Sequence, residues 1–117
     1  MAGRTVAGQA ATLQSLAADQ PVLCLPGQLS PELSFQVLNA NDEPVPGTRV
    51  FFRQEGGIEN LTRQLQLSDA SGRVRVQAVC PMRLLQGGKV VAEVQEPPLP
   101  PALPAAIFAR AAARPCS

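Results

Sequence analysis

Residues 33–79 read LSFQVLNANDEPVPGTRVFFRQEGGIENLTRQLQLSDASGRVRVQAV. Leu33, Phe35 and Val37 alternate with Ser34, Gln36 and Leu38, a period of two that makes a half-buried strand. Residues 39–47 (NANDEPVPG) follow, dense in turn formers: Asn and Asp tolerate left-handed backbone, and Pro fixes φ. Thr48 to Arg53 reads as the next strand, with Val50 and Phe52 on one face and Phe51 on the other, and Glu55-Gly-Gly-Ile58 breaks it. Arg63 to Leu67 alternates again, and its pattern predicts Leu65 and Leu67 facing inward. Ser68-Asp-Ala-Ser-Gly72 is a second tight turn into Arg73 to Val79, where Val74, Val76 and Ala78 face in and Arg73, Arg75 and Gln77 face out. Short strands joined by short polar turns pair antiparallel, because the connections are too short for crossovers.

Outward from this stretch the pattern is weaker. Residues 1–11 are small and polar and read as a flexible N-terminal arm. Thr12 to Ala18 reads as a first strand or a short helical turn. Gln20 to Pro31 holds three prolines and Gly27, so it reads as a loop or an irregular edge. After the stop at Pro81, Val90, Ala92 and Val94 form another strand. Glu96 to Pro104 has five prolines in nine residues, which favours extended backbone, forbids a central strand and suits a stiff connection. Ala106 to Ala112 reads as a last strand through Ile107 and Ala109. The expectation is all-β: an immunoglobulin-like antiparallel β-sandwich of about seven strands over residues 12–112, with residues 113–117 as a C-terminal tail. The first strand and the Ile107 region are its expected edges.

Composition narrows the function. The 117 residues make one domain's worth of chain with net charge +1, no Trp, no Tyr and four Phe. So small a charge with scattered arginines does not steer a chain to nucleic acid, and few aromatics leave no stacking platform for single strands. Histidine is absent, which removes the commonest acid/base and the usual triad base. Lys89 is the only lysine and no motif surrounds it, so no nucleophile has a partner; no catalytic residue and no cofactor are expected. Glu55 and Glu59 flank a Gly-Gly turn in a chain too small for a deep sugar cleft. Asn60-Leu61-Thr62 matches a glycosylation sequon but reads as a loop. No apolar run is long enough for a spanning helix, and residues 1–20 lack the apolar core of a secretory signal. The chain therefore reads either as a piece of a longer protein or as one that reaches its place of work without such a signal.

The order of features resembles the bacterial immunoglobulin-like domain of the invasin and intimin group. The residues that carry the resemblance are Leu33 to Leu38, Asn41-Asp-Glu, Pro44-Val-Pro-Gly47, Thr48 to Gly57, Ser68-Asp-Ala-Ser-Gly72 and Val74 to Val79. Transthyretin-like sandwiches share the Pro-Val-x-Gly and Asp-x-x-Gly turns and stand as the second choice. The resemblance implies a non-enzymatic module used for spacing, display or binding. Its strand directions would put the loop of Cys24 and the strand end of Cys80 at one end of the sandwich. A Cys24–Cys80 disulfide is then geometrically open, as is the alternative of two buried thiols. Cys116 in the tail is free to replace either or to link to another chain.

The same directions would bring Asn41, Asp42, Glu43, Asp69 and Ser71 to the opposite end, the first place to look for a partner. Three carboxylates there approach a calcium ligand set, but such residues more often cap turns, and no metal is expected. Two settings follow: decoration of a virion head or tail, or a bacterial surface protein. Partners in a capsid, tail or surface assembly are expected, and self-association is compatible with either; membrane insertion is not expected. The rival function is small-ligand or carbohydrate binding on a transthyretin-like sandwich, which the lack of Trp and Tyr disfavours.

Overall fold

A computed structural model describes residues 9–16, 21–84, 86–96 and 98–110. All its regular elements are strands: β1 (Thr12–Ser15), β2 (Val22–Cys24), β3 (Leu33–Leu38), β4 (Arg49–Gly56), β5 (Leu65–Leu67), β6 (Arg73–Val76), β7 (Gly87–Glu93) and β8 (Ala105–Ala109). They form a three-stranded sheet in the order β1-β3-β6 and a five-stranded sheet in the order β2-β8-β7-β4-β5. The strands number eight rather than seven because the proline-bracketed stretch after Pro21 is not only loop. Val22–Cys24 pairs parallel with Ile107–Ala109 and covers the edge that the Ile107 region was expected to form. Ala10 and Ala11, assigned to the arm from sequence, dock on β3: Ala10 is buried and the Ala11 N–H donates to the Leu38 carbonyl at 2.8 Å. The remainder of the arm at 1–8 and the tail at 113–117, with Cys116, lie outside the described residues.

The core lies between the sheets, built from small aliphatics and two rings. Leu33, Phe35 and Val37 of β3 and Val74 and Val76 of β6 face Val50 and Phe52 of β4, Val90 and Ala92 of β7 and Ile107 of β8, all buried. Phe35 and Phe52 meet across the sheets with ring centroids 6.0 Å apart at a 41° tilt. The pleat of β5 runs opposite to expectation. Leu65 and Leu67 are 45% and 55% exposed, and half-buried Gln66 sits between them beside Val50. The reason is a hydrogen bond: the Gln66 Oε1 accepts the Arg75 N–H at 2.7 Å, across from the opposing sheet. A leucine there would leave that amide without its acceptor.

The proline-rich stretch continues the sheet in its own fashion. Prolines have no N–H to give, and the non-proline residues among them supply it: Leu99 donates to the Val94 carbonyl and Ala102 to the Ala92 carbonyl, at 3.1 and 3.3 Å. The stretch thus folds back along β7 and delivers the chain to β8.

Cys24 and Cys80 form a disulfide with Cα atoms 6.1 Å apart. Cys24 ends β2 in the five-stranded sheet. Cys80 belongs to the extension of β6, where its N–H donates to the Gln28 carbonyl at 2.7 Å. The bridge therefore ties one sheet to the other. For a sequence separation of 56, the chain-entropy model assigns it about 4 kcal/mol.

Truncation separates the two kinds of position. Phe35→Ala should cost about 3–5 kcal/mol in denaturant unfolding, whereas Leu65→Ser should stay within about 0.5 kcal/mol of the parent. Equal losses at both would restore the inward reading of β5.

Candidate interaction surface

One end of the sandwich is made by two turns, residues 39–47 and 68–72. Asn39 organises the first. Its Oδ1 accepts the N–H groups of Asn41 at 2.8 Å and Glu43 at 3.0 Å, and its Nδ2 donates to the Glu43 carboxylate at 3.1 Å. Asp42, at φ 64°, takes the left-handed conformation that a short polar side chain tolerates. Asn41, Asp42 and Glu43 are therefore exposed on a loop whose backbone is tied down from within.

In the second turn the Asp69 Oδ1 accepts three donors: the Ser71 N–H at 2.9 Å, the Ser71 hydroxyl at 2.8 Å and the Arg73 N–H at 3.0 Å. The backbone bond from Arg73 is the main cause that holds the Asp69 carboxyl below its ordinary range, followed by the Ser71 hydroxyl. The turns meet at Gly72. Its φ is +74°, and a Cβ there would come within 2.6 Å of the Val37 carbonyl oxygen and 3.0 Å of Pro44 and Val45 atoms. Buried Ser68 completes the joint. Its hydroxyl donates to the Val45 carbonyl at 2.6 Å and accepts the Thr48 N–H at 2.9 Å.

The sequence-selected turn residues thus fall into two touching loops: Asn41, Asp42 and Glu43 on one, Asp69 and Ser71 on the other. Among the described residues no three of His, Cys, Asp or Glu are grouped to hold a metal ion. Asn39 and Ser68, which fix both loops, were read only as parts of turns. Their signal was position, an Asn closing an alternating strand and a Ser opening an Asp-x-x-Gly turn. Beside this end a groove of about 500 Å³ runs between Pro46–Arg49 and Gln95–Glu96, with Phe51 as its one aromatic.

The edge of β6 is sealed by side chains. Alternate N–H groups on the outer side of β6 and its extension go to acceptors on the chain that crosses to the other sheet: Arg73 to Asp69 Oδ1, Arg75 to Gln66 Oε1, and, just past β6, Gln77 to Thr62 Oγ1, at 2.7 to 3.0 Å. Thr62, read from sequence as part of a chance sequon, is the lowest of these acceptors. A strand added at β6 would have to displace all three. At the opposite end, around the disulfide, the surface is more apolar, with Leu25, Leu29, Met82 and Leu84 exposed.

With two sheets in this order and the two turns at one end, the chain superposes on known sandwiches. The fold is the intimin immunoglobulin-like fold. The D0-D1 domain structure of intimin matches with a TM-score of 0.60 at 18% identity, over 85% of this chain and 47% of that one. A C-terminal 282-residue fragment of intimin, in complex with the intimin-binding domain of the translocated intimin receptor, matches with a TM-score of 0.61 at 16% identity, over 87% of this chain and 34% of that one. The chain therefore spans about half and about a third of those solved chains. No protein-family model matches it, and no curated protein matches it in sequence.

The depressed Asp69 carboxyl sets a pH dependence. A carboxylate held low in the folded state stabilises above its unfolded pKa and loses that contribution as pH falls through the folded value. Stability should therefore decline from pH 5 into the acid range. Asp69→Asn should flatten that decline by lowering stability at pH 7 toward the value that the parent reaches in acid, as read by melting temperature across the pH series. An unchanged acid slope would remove Asp69 from the account.

Proposed function

We propose that this chain is a non-enzymatic immunoglobulin-like module displayed at a bacterial cell surface, where it spaces and presents a docking end to a protein partner. The Cys24–Cys80 bridge carries the reading. Such bridges form and persist in oxidising surroundings and are rare in the cytosol. The fold shared with intimin supports it, as does a receptor-bound intimin fragment among the similar structures. A virion head or tail would use the same kind of module. Assembly inside a reducing cytoplasm precedes exposure there, so the bridge favours the cell surface.

The docking end is the pair of turns. Asn41, Asp42 and Glu43 stand exposed on a loop pinned by Asn39, so a partner that binds them need not first order the backbone. The sealed β6 edge directs recognition away from strand addition at that strand. The neighbouring groove has only Phe51 as a stacking surface, which does not favour sugar binding.

Lys89 supplies the test, being exposed and the sole lysine. A membrane-impermeant amine-reactive biotin reagent applied to intact cells that produce the protein should label Lys89, mapped by peptide mass spectrometry. Labelling that occurs only after lysis would overturn the surface assignment.

A further inference from the structure

The chain enters the described sandwich at one end and leaves it at the other. Thr12 of β1 lies opposite Leu38, beside the two turns. Ala109 of β8 lies opposite Cys24, and the Arg110 N–H donates to the Cys24 carbonyl at 3.0 Å, beside the disulfide. Tension applied at these two points runs along the strands. It draws β1 lengthwise against β3, and β8 lengthwise against both β7 and β2. Antiparallel ladder bonds lie perpendicular to the strands. Lengthwise pull therefore loads the bonds of a pair together, whereas pull across a pair opens them one at a time.

We propose that the domain is a load-bearing link with a built-in extension stop at Cys24–Cys80. The surface reading above supplies the source of the load; the mechanical property itself comes from the strand directions and the bridge. On the N-terminal side, β1 and β2 precede Cys24 directly, so both can be drawn out only as far as that residue. On the C-terminal side, β7 and β8 follow Cys80. The intervening β3, β4, β5 and β6 lie inside the covalent loop, so once the outer strands have been drawn out the load crosses the bridge and the chain of the loop is not extended. With a sequence separation of 56 between the two cysteines and about 3.3–3.6 Å per extended residue, the bridge withholds about 190 Å of chain.

Single-molecule force spectroscopy on the full chain, held by its two termini and carrying Cys116→Ser to leave one pairing, tests both parts. Without reductant, complete extension should fall short by about 190 Å of the value reached with a dithiol reductant. The reductant gives two electrons and two protons, leaves Cys24 and Cys80 as thiols, and departs as its own disulfide. Equal extensions in the two conditions would remove the stop. The second arm moves one attachment from the N-terminus to residue 83 through Arg83→Cys. Gly87 of β7 lies opposite Phe108 of β8, so this geometry opens the β7–β8 pair from its end. End-to-end pulling should need the higher force, and equal forces would overturn load-bearing. Neither result depends on where the protein resides, so a failed surface-labelling experiment and a failed force experiment are told apart.

Discussion

The sandwich depends on stretches of chain that bond to both sheets, and two of them run beside the extension of β6. The first is residues 22–33. Val22–Cys24 pairs with β8 in one sheet, and Gln28–Ser30 then bonds to residues 78–80 on the other. The second is residues 60–67. Leu61 bridges to Ala78 on the β6 side before Leu65–Leu67 joins β4. Buried Ser30 locks the first crossing: its hydroxyl accepts the Ala78 N–H at 3.0 Å and donates to the Pro31 carbonyl at 2.8 Å. A core of Val, Leu and Ala with one inter-sheet ring contact gives modest directional preference between the layers. The crossings supply the missing constraint through hydrogen bonds and, at the first, through a covalent bond.

This dependence explains what was legible in the sequence. β3 and β6 read correctly because each buries one face against the opposite sheet, and period two is the direct trace of that burial. Alternation does not say which face is which. At β5 it pointed the wrong way, because Gln66 is needed at the crossing and its carbonyl outweighs the gain from burying a neighbouring leucine on an edge strand. The parallel pairing of β2 with β8 was not legible either. It joins Val22 to Ile107 across most of the chain, and no local pattern encodes a partner so distant. The proline-rich stretch was readable as stiff. Its sheet role rests on the two amides of Leu99 and Ala102, which only the register of β7 reveals.

The turn end was readable as turns but not as a unit. Sequence shows Asp42 and Asp69 in turns, and the family resemblance implies that those turns share one end. It does not show that Gly72 is the point of contact, where any side chain would meet the Val37 carbonyl. Nor does it separate the residues that build the end from those that it presents. Asn39, Ser68 and the Asp69 carboxylate spend their hydrogen bonds inward. Asn41 and Asp42 keep their side chains toward solvent. Charge plays a minor part in holding the fold: Arg53 pairs with Glu55 and Glu93 on the exposed face of β4 and β7, where such pairs contribute little.

The two ends therefore divide the work by chemistry. The turn end is fixed by short polar bonds that water can replace, so its geometry is rigid but its stability is local. The other end is fixed by a covalent bond between sheets, which neither water nor tension replaces. A partner at the turn end and a load along the strands would act on separate sets of bonds. Loss of a turn contact would loosen presentation without releasing the loop from Cys24 to Cys80. Reduction of the bridge removes none of the hydrogen bonds of Asn39 and Asp69 from the folded sandwich. That separation follows from the disulfide lying at the end where the chain leaves the sandwich, while the turns lie where it enters.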